Sequence, residues 1–256
     1  MSLLTTAVQV RDLTVRLGGR TVLDRIDLEL DTGVYALLGP NGAGETTLLR
    51  VLATVARPTS GLAMLVGHSL GGRGDLREPR RNLGYLPQEF HAYPWFTVAE
   101  FVQYMAWLRQ LPAGQVPVAV DRALQRTGLA DHAGARLRTL SGGLLRRVGI
   151  AQAIVHSPRV LLLDEPTAAL DPEERVRLWT LLRELGQDST VLVSTHLVED
   201  MAVGCTGVVV LSQGRVAFDG GPADLADQGA EHGDGSRAER GYAAVLRRAG
   251  GKGGQR

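Results

Sequence analysis

Apolar residues recur at alternate positions through the first thirty residues of the chain, on both sides of a Gly18-Gly19 pair. These apolar positions are Val8, Val10, Leu13, Val15, Leu17, Val22, Ile26, Leu28 and Leu30. A period of two is typical of strands that bury one face, and glycines between two such segments favour a turn. The pattern therefore predicts two antiparallel strands joined at Gly18-Gly19.

Short apolar runs then alternate with stretches of helical periodicity. The predicted strands are 34–38, 61–66, 82–86, 159–163 and 190–194. The predicted helices are 46–55, 141–156 and 172–185. Strands that alternate with helices are typical of an α/β fold with a mostly parallel sheet.

A helical region interrupts this alternation. Between positions 97 and 140, apolar residues recur at helical spacing, at Val98, Phe101, Val102, Met105 and Leu108. The segment 111–118 carries two prolines and a glycine and separates the helices of this region. We therefore predict a helical lobe that is inserted into the α/β core at about 89–158.

The last part of the chain differs from the rest in composition. From Gly229 onward it is rich in glycine and charged residues. We therefore predict one domain over 1–228 and a tail over 229–256. The tail is expected to fray, apart from a short helix at 242–248.

The composition narrows the class of protein. The 256 residues include 28 Lys and Arg against 27 Asp and Glu, for a formal charge of +1. This balance gives no indication of a nucleic-acid partner. The single cysteine, Cys205, excludes an internal disulfide framework and a cysteine-based zinc site. No apolar run approaches the ~20 residues that cross a bilayer, and the first six residues lack signal-peptide features, so we expect a cytoplasmic protein.

A glycine-rich loop follows the predicted strand 34–38 and precedes a predicted helix. It has the spacing of a phosphate-binding P-loop, G-x-x-x-x-G-K-[ST], except that Glu45 replaces the lysine. Backbone N–H groups of such a loop surround phosphate oxygens, and Thr46 stands where a hydroxyl ligates magnesium. The candidate nucleotide-binding residues are Gly39, Pro40, Asn41, Gly42, Ala43, Gly44, Glu45, Thr46 and Thr47.

A second candidate site element is the apolar strand at 160–163, which ends in Asp164 and Glu165. Parallel sheets place functional groups at the carboxyl ends of their strands. We expect Asp164 to hold magnesium and Glu165 to act as the general base that polarises an attacking water.

Four further motifs complete the pattern: LPQ at 86–88, LSGGL at 140–144, AALD at 168–171 and STH at 194–196. Together with the P-loop and the acidic strand, they resemble an ATP-binding-cassette (ABC) transporter ATP-binding subunit over roughly 7–228. The aromatic-rich segment 85–101 further resembles the export (ABC-2) type, whose cassettes serve six-helix permeases.

This resemblance implies a fold, a set of roles and a set of partners. The fold is a P-loop NTPase core with a mostly parallel sheet, an antiparallel β subdomain and an inserted helical lobe. The implied catalytic residues are Glu165, His196, which contacts the γ-phosphate, and Gln88, which also senses the metal. Ser141, Gly142 and Gly143 would close on nucleotide held by the opposite subunit, and Asp171 would couple the two sites. The ligands are ATP and Mg²⁺.

The resemblance also implies partners: a homo- or heterodimer of ABC domains, and a separate transmembrane permease that holds the subunit on the inner face of the membrane. The expected activity is ATP hydrolysis coupled to export. Two rival classes remain, a regulatory or scaffold subunit without turnover and a soluble ABC protein of DNA repair or translation. The latter carry a coiled coil or two cassettes, and the sequence predicts neither.

Three positions depart from the family pattern. Glu45 reverses the charge of the P-loop lysine, Leu17 replaces an aromatic that stacks on adenine, and Leu144 replaces the glutamine of the signature. Three interpretations follow. The chain is an ATPase that tolerates a poor P-loop, it is the degenerate half of a heterodimer, or Glu45 is an introduced, inactivating change.

Overall fold

A computed structural model describes residues 6–71, 75–168, 170–199, 204–229 and 234–251 of the protein. Its strands are β1 (Val8–Leu17), β2 (Arg20–Leu30), β3 (Gly33–Leu38), β4 (Ser60–Leu65), β5 (His68–Ser69), β6 (Leu83–Leu86), β7 (Val160–Asp164), β8 (Thr190–Ser194), β9 (Gly207–Ser212) and β10 (Arg215–Gly220). Its helices are α1 (Glu45–Leu52), α2 (Arg77–Arg81), α3 (Val98–Leu108), α4 (Val116–Arg126), α5 (Gly142–Ile154), α6 (Pro172–Leu185), α7 (Pro222–Asp227) and α8 (Arg237–Gly251). These elements confirm the α/β class.

The first two strands form the predicted hairpin. Leu17 pairs with Arg20, and Gly18 and Gly19 adopt φ of +55° and +81° between them. Two consecutive residues with positive φ are what a two-residue turn requires to match the twist of its strands, and glycine adopts them without a steric penalty. The hairpin belongs to an antiparallel sheet in the order β2-β1-β4-β5.

The second sheet holds the elements that carry the candidate site. Its order is β10-β9-β3-β8-β7-β6, with parallel pairing from β9 to β6 and antiparallel β10 at one edge. Strand β8 lies between β3 and β7, so the segments that follow these three strands emerge side by side. Every residue of β7 and of β8 is buried, because helices cover both faces of the sheet.

The core has two main layers. One cluster joins the antiparallel sheet, helix α1 and one face of the parallel sheet, through residues such as Ile26, Leu49 and Leu162. The other joins the opposite face of the parallel sheet to the helical lobe and α6, through residues such as Phe101 and Trp179. Helix α1 is therefore held between two sheets, and the loop that precedes it is fixed from both sides.

Several predicted boundaries need correction. Helix α1 begins at Glu45, one residue before the predicted range 46–55, and ends at Leu52, three residues before its end. Helix α4 begins at Val116, within the segment expected to be a linker, and Pro117 lies in its first turn. Proline is tolerated there because the first N–H groups of a helix have no intrahelical acceptor. Strands β9 and β10 and helices α2 and α7 were not predicted.

The short helix predicted at 242–248 is present but longer, because α8 covers Arg237–Gly251, so the expectation of fraying is wrong for 237–241 and 249–251. Val245 and Ala244 of α8 are buried, and Val245 packs in a third cluster with Leu38 and Leu225. Residues 230–233 and 252–256 of the predicted tail lie outside the described residues, and its boundary at residue 228 stays a prediction.

Candidate functional site

The P-loop connects β3 to α1 in a conformation that depends on its glycines. Gly42 and Gly44 have φ of +81° and +116°, in the left-handed region that glycine favours. A Cβ atom at Gly44 would lie 2.5 Å from Leu23 Cδ2, so the hairpin packs directly on the loop. The amide of Gly214 donates to the carbonyl of Ala43 at 3.1 Å and holds the loop from the β9–β10 side.

The loop forms one wall of a cleft of about 180 Å³ at the carboxyl ends of β3, β7 and β8. The cleft is lined by Leu37, Gly39, Asn41, Gly42, Glu45, Thr46, Gln88, Asp164, Glu165, Ser194, Thr195 and His196. The structure thus brings together most of the residues predicted for nucleotide, metal and catalysis. Pro40, Ala43, Gly44 and Thr47 are in the same loop and helix but do not line the cleft.

Asp164 is the most buried polar group of the cleft. Its side chain accepts hydrogen bonds at Oδ1 from Ser194 Oγ at 2.7 Å and from Thr46 Oγ1 at 3.3 Å. Its Oδ2 is buried and has no hydrogen-bond partner among the described residues, although Asp164 is only 1% exposed. A buried carboxylate oxygen without a donor is costly unless a cation or water satisfies it.

This arrangement fits a magnesium ion held by few protein ligands. Among the described residues, no three His, Cys, Asp or Glu side chains are placed to hold a metal together. Mg²⁺ commonly uses one or two protein carboxylates or hydroxyls and takes its other ligands from water and phosphate. The predicted ligand set of Thr46, Gln88 and Asp164 is of this kind.

Glu165 follows β7 in a strained conformation. Its φ is +48°, which costs of order 1–3 kcal/mol for a residue with a Cβ. Its amide donates to Ser194 Oγ at 2.8 Å, and its carboxylate Oε1 lies 3.9 Å from His196 Nδ1. The Glu165 side chain is one-third exposed, so its carboxylate reaches the open cleft while its backbone is fixed.

Arg146 of α5 contacts the backbone of two segments that line the cleft. The sequence did not predict this role. Its guanidinium donates to the carbonyls of Pro87 at 3.0 Å and Gln88 at 2.9 Å, and on the other side to those of Asp164 and Glu165. Arg146 is only 8% exposed. The one available signal was a charged residue on the buried side of a predicted helix. Ser194 contacts both Asp164 and Glu165, and the STH motif in which it lies does not by itself predict this role.

Glu45 turns back into the P-loop. A Cβ atom built at Gly39 would clash with Glu45 Oε1, so the carboxylate lies directly over the start of the loop. Burial raises the pKa of the Glu45 carboxyl, and the charges of Asp164 and Glu165 raise it further, whereas backbone hydrogen bonds from residues 45 and 44 oppose the rise. A carboxylate thus occupies the place where a P-loop receives phosphate oxygens.

The remaining predicted site residues do not line this cleft. Ser141 caps α5 by accepting the amide of Leu144 at 3.3 Å, and Asp171 caps α6 by accepting the amide of Glu174 at 2.8 Å. Gly142 is exposed and Gly143 partly so at the same helix start. Leu17, at the expected adenine-stacking position, is 55% exposed. Ala169 of the AALD motif lies outside the described residues.

Comparisons with known proteins agree with this geometry. The family described as "ABC transporter" matches residues 23–168, more than half of the chain. The chain is 35% identical over 226 residues to "Nod factor export ATP-binding protein I" of Cupriavidus metallidurans, with 88% of this chain and 74% of that protein covered. It is 39% identical over 193 residues to "Uncharacterized ABC transporter ATP-binding protein YxlF" of Bacillus subtilis, with 75% and 63% covered.

Solved structures give the same result. "Structure of ATP binding subunit of ABC transporter" superposes with a TM-score of 0.80 at 25% identity and covers 87% of this chain and 93% of that chain. Clostridium perfringens cbiO1, described as part of the ABC transporter complex cbiONQ, superposes with a TM-score of 0.75 at 30% identity and covers 86% and 90%. No helix in the described ranges is both long and apolar enough to cross a membrane. With its P-loop, acidic strand and signature in one matched sequence, this chain belongs to the ABC transporter family as an ATP-binding subunit.

Proposed function

We propose that this subunit hydrolyses ATP with Mg²⁺ and thereby drives export through a separate membrane permease. The observation that carries the proposal is the single cleft in which Thr46, Gln88, Asp164, Glu165 and His196 converge. The export direction is supported by the relatives named for Nod factor export, and the permease by the description of cbiO1 as part of a transporter complex.

The metal and phosphate end of the site is formed by three groups. Thr46 Oγ1 and the unpartnered Oδ2 of Asp164 would hold Mg²⁺, with the side-chain amide of Gln88 beside them. When bound, the ion neutralises charge on the phosphate oxygens. Ser194 keeps the Asp164 carboxylate in one orientation by donating to its Oδ1.

Glu165 is the proposed general base. Its carboxylate accepts the proton of a water molecule as that water attacks the terminal phosphorus. Two hydrogen bonds fix the backbone of Glu165: its amide donates to Ser194 Oγ, and Arg146 donates to its carbonyl. His196 lies near enough to orient the same water or a phosphate oxygen.

The functional unit is proposed to be a head-to-tail dimer of ABC domains, either homo- or heterodimeric. The cleft of about 180 Å³ is smaller than the ~300–1,000 Å³ of typical small-molecule pockets. Ser141, Gly142 and Gly143 do not line the cleft, and at the start of α5 the first two are exposed and Gly143 is partly exposed. A second chain would supply its own signature to cover nucleotide in this cleft.

The permease is proposed to hold the subunit at the inner face of the membrane. The helical lobe exposes Tyr93, Trp95 and Trp107, which are 59%, 66% and 65% accessible. Exposed aromatic residues are enriched at protein interfaces, and these lie in the segment that resembles export-type cassettes and in the helix that follows it.

A second candidate function is favoured by Glu45. Its carboxylate occupies the phosphate position of this chain's own P-loop, whereas the signature at Ser141–Gly143 is intact. Such a chain would be a non-hydrolysing regulatory subunit that completes the ATP site of a competent partner.

The experiment that tests turnover is phosphate release by the purified chain and by Glu165→Gln. Amide and carboxylate have nearly the same shape, so the variant should keep ATP binding and lose at least about a hundredfold in rate, as expected for loss of a general base. Equal rates in the two proteins would remove Glu165 from the mechanism. A wild-type chain with no turnover would favour the regulatory subunit.

A further inference from the structure

A second cavity, away from the nucleotide cleft, is lined largely by arginine. It has a volume of about 350 Å³ and lies between α2 and the end of α3. We call it the arginine pocket and define it by Arg77, Arg80, Arg81, Arg109, Gln110, Met105 and Leu108. In the described parts of the chain, no residue lines both this pocket and the nucleotide cleft.

Two of the four arginines are neutralised by neighbours. Arg81 donates to Glu78 at 2.7 Å, and Arg77 lies 3.9 Å from an oxygen of Asp75. These carboxylates balance the charge at the α2 end of the pocket.

The other two arginines have no acidic partner among the described residues. Arg80 donates to the hydroxyl of Thr54 at 2.8 Å, and Arg109 donates to the carbonyl of Arg80 at 2.8 Å. Burial, followed by the positive charge of Arg80, lowers the pKa of Arg109. An anion in the pocket would therefore relieve an existing electrostatic cost.

The charge and the lining indicate the kind of anion. Two uncompensated guanidinium groups match a phosphate monoester, which carries about −1.5 to −2 charges at neutral pH, better than a single carboxylate. Arg80 already uses Nε and Nη2 on Thr54, and Arg109 uses Nη1 on a carbonyl, so their remaining N–H groups are the donors available to phosphate oxygens. Met105 and Leu108 add an apolar wall, which suits the organic part of such a molecule.

We propose that the arginine pocket binds a phosphate monoester through Arg80 and Arg109, with the apolar part of the ligand against Met105 and Leu108. This site is independent of the proposed ATPase activity. The same chemistry is offered by a soluble organic phosphate and by the headgroup of phosphatidic acid.

The test uses phenyl phosphate and benzoate, which share an apolar ring but differ in charge, in calorimetric titrations of the whole chain. We expect phenyl phosphate to bind about tenfold or more tightly than benzoate, because one further charge-assisted contact has about this effect. Arg80→Gln and Arg109→Gln should each raise its Kd about tenfold, whereas the exposed Arg11→Gln on β1 should leave it within about twofold.

Arg80→Gln is the deciding variant, because Arg80 is exposed and its substitution should not prevent folding, as circular dichroism would check. Binding of phenyl phosphate that is unchanged in folded Arg80→Gln would overturn the proposal, since the ligand would then sit elsewhere, for example in the P-loop. A hexaglutamate peptide that binds more tightly than phenyl phosphate would also overturn it, in favour of an acidic protein segment.

Vesicles of phosphatidylcholine with and without phosphatidic acid distinguish the two sources of the phosphate group. Binding to the acidic vesicles that depends on Arg80 supports a lipid headgroup, and binding of phenyl phosphate alone supports a soluble ligand. If the protein binds neither the acidic vesicles nor phenyl phosphate, the proposal is wrong.

Discussion

Glu45 is the residue at which the P-loop of this chain departs from the sequence pattern of its motif. A charge pair at about 4 Å is worth about 4 kcal/mol at an effective dielectric of 20, so exchange of lysine for glutamate beside phosphate could cost up to about twice that. The turn of Glu45 over Gly39 keeps this negative charge inside the loop. The only lysine, Lys252, lies outside the described residues.

The Glu45→Lys variant should bind Mg-ATP at least about a hundredfold more tightly than the wild type, since ~2.7 kcal/mol of phosphate stabilisation gives that factor. Its turnover should rise in parallel, because Thr46, Asp164, Glu165 and His196 already line the cleft. Calorimetric titration with ATP and a phosphate-release assay measure the two effects.

Glu45→Gln is the matched control, since it removes the negative charge without adding a positive one. Its affinity for Mg-ATP should lie between those of the wild type and Glu45→Lys. Equal affinity and rate in all three proteins would mean that residue 45 does not face phosphate. Tighter binding without turnover would favour the regulatory subunit.

His156 makes the stability of the fold depend on pH. Burial lowers its pKa to about 4, the charge of Arg109 adds to this, and the hydrogen bond to the carbonyl of Leu83 opposes it. Because the folded pKa lies below the unfolded value of about 6.5, the neutral ring stabilises the fold fully above pH 6.5. This contribution is lost as the pH falls through 6.5 toward 4.

When the pH is lowered from 7 to 4, protonation of His156 should therefore reduce the free energy of unfolding by about 3 kcal/mol. Urea unfolding at several pH values, compared with His156→Gln, measures it. The variant lacks the titrating group and should show a shallower loss over this range. Parallel pH profiles would show that His156 is not the responsible group.

Among the helices, α5 connects the signature to the cleft. Ser141 caps its first turn, and Arg146, one turn further, contacts the backbone on both sides of the cleft. A displacement of the signature would thus be transmitted to Gln88 and Glu165 through one side chain.

Arg146→Met should lower the free energy of unfolding by at least about 3 kcal/mol, because several buried carbonyls lose a charged donor. It should also reduce turnover more than it reduces ATP affinity, since the P-loop itself is untouched. Denaturant unfolding and steady-state kinetics test both expectations. Arg146→Lys keeps the charge but not the forked geometry, and should recover only part of either loss. Wild-type kinetics in a folded Arg146→Met protein would contradict the positioning role.

Helix α8 is the element whose importance was least expected. Its Val245 belongs to the same buried cluster as Leu38, the last residue before the P-loop, and burial together with the charge of Glu45 raises the pKa of Tyr242. The end of the described chain is therefore part of the structure around the nucleotide cleft.

The fold places the cleft at the carboxyl ends of β3, β7 and β8 and the exposed aromatic residues on the helical lobe. In the described residues no helix can span a membrane, and the proposed attachment is through a permease. When the chain is expressed alone, it should stay in the supernatant after centrifugation of broken cells. Recovery in a membrane pellet that resists washing with concentrated salt would contradict this prediction.

Features that depend on neighbouring residues can be predicted from the sequence alone. The hairpin at Gly18-Gly19, helix 172–185 and strand 190–194 follow from local periodicity and turn chemistry, and the structure has them within a residue or two. The P-loop, Asp164, Glu165 and His196 were found because their motifs are short and contiguous, and parallel strands bring their ends to one edge.

Contacts between distant segments, in contrast, depend on how the chain folds and are seen only in the structure. Arg146 reaches carbonyls 58 and 59 positions earlier and 18 and 19 positions later in the chain. The turn of Glu45 over Gly39, the packing of α8 and the convergence of Arg80 with Arg109 likewise depend on how helices and sheets are arranged in space. The periodicity of a sequence predicts which residues share a face of one helix or strand. Which other element contacts that face depends on the packing of the whole core.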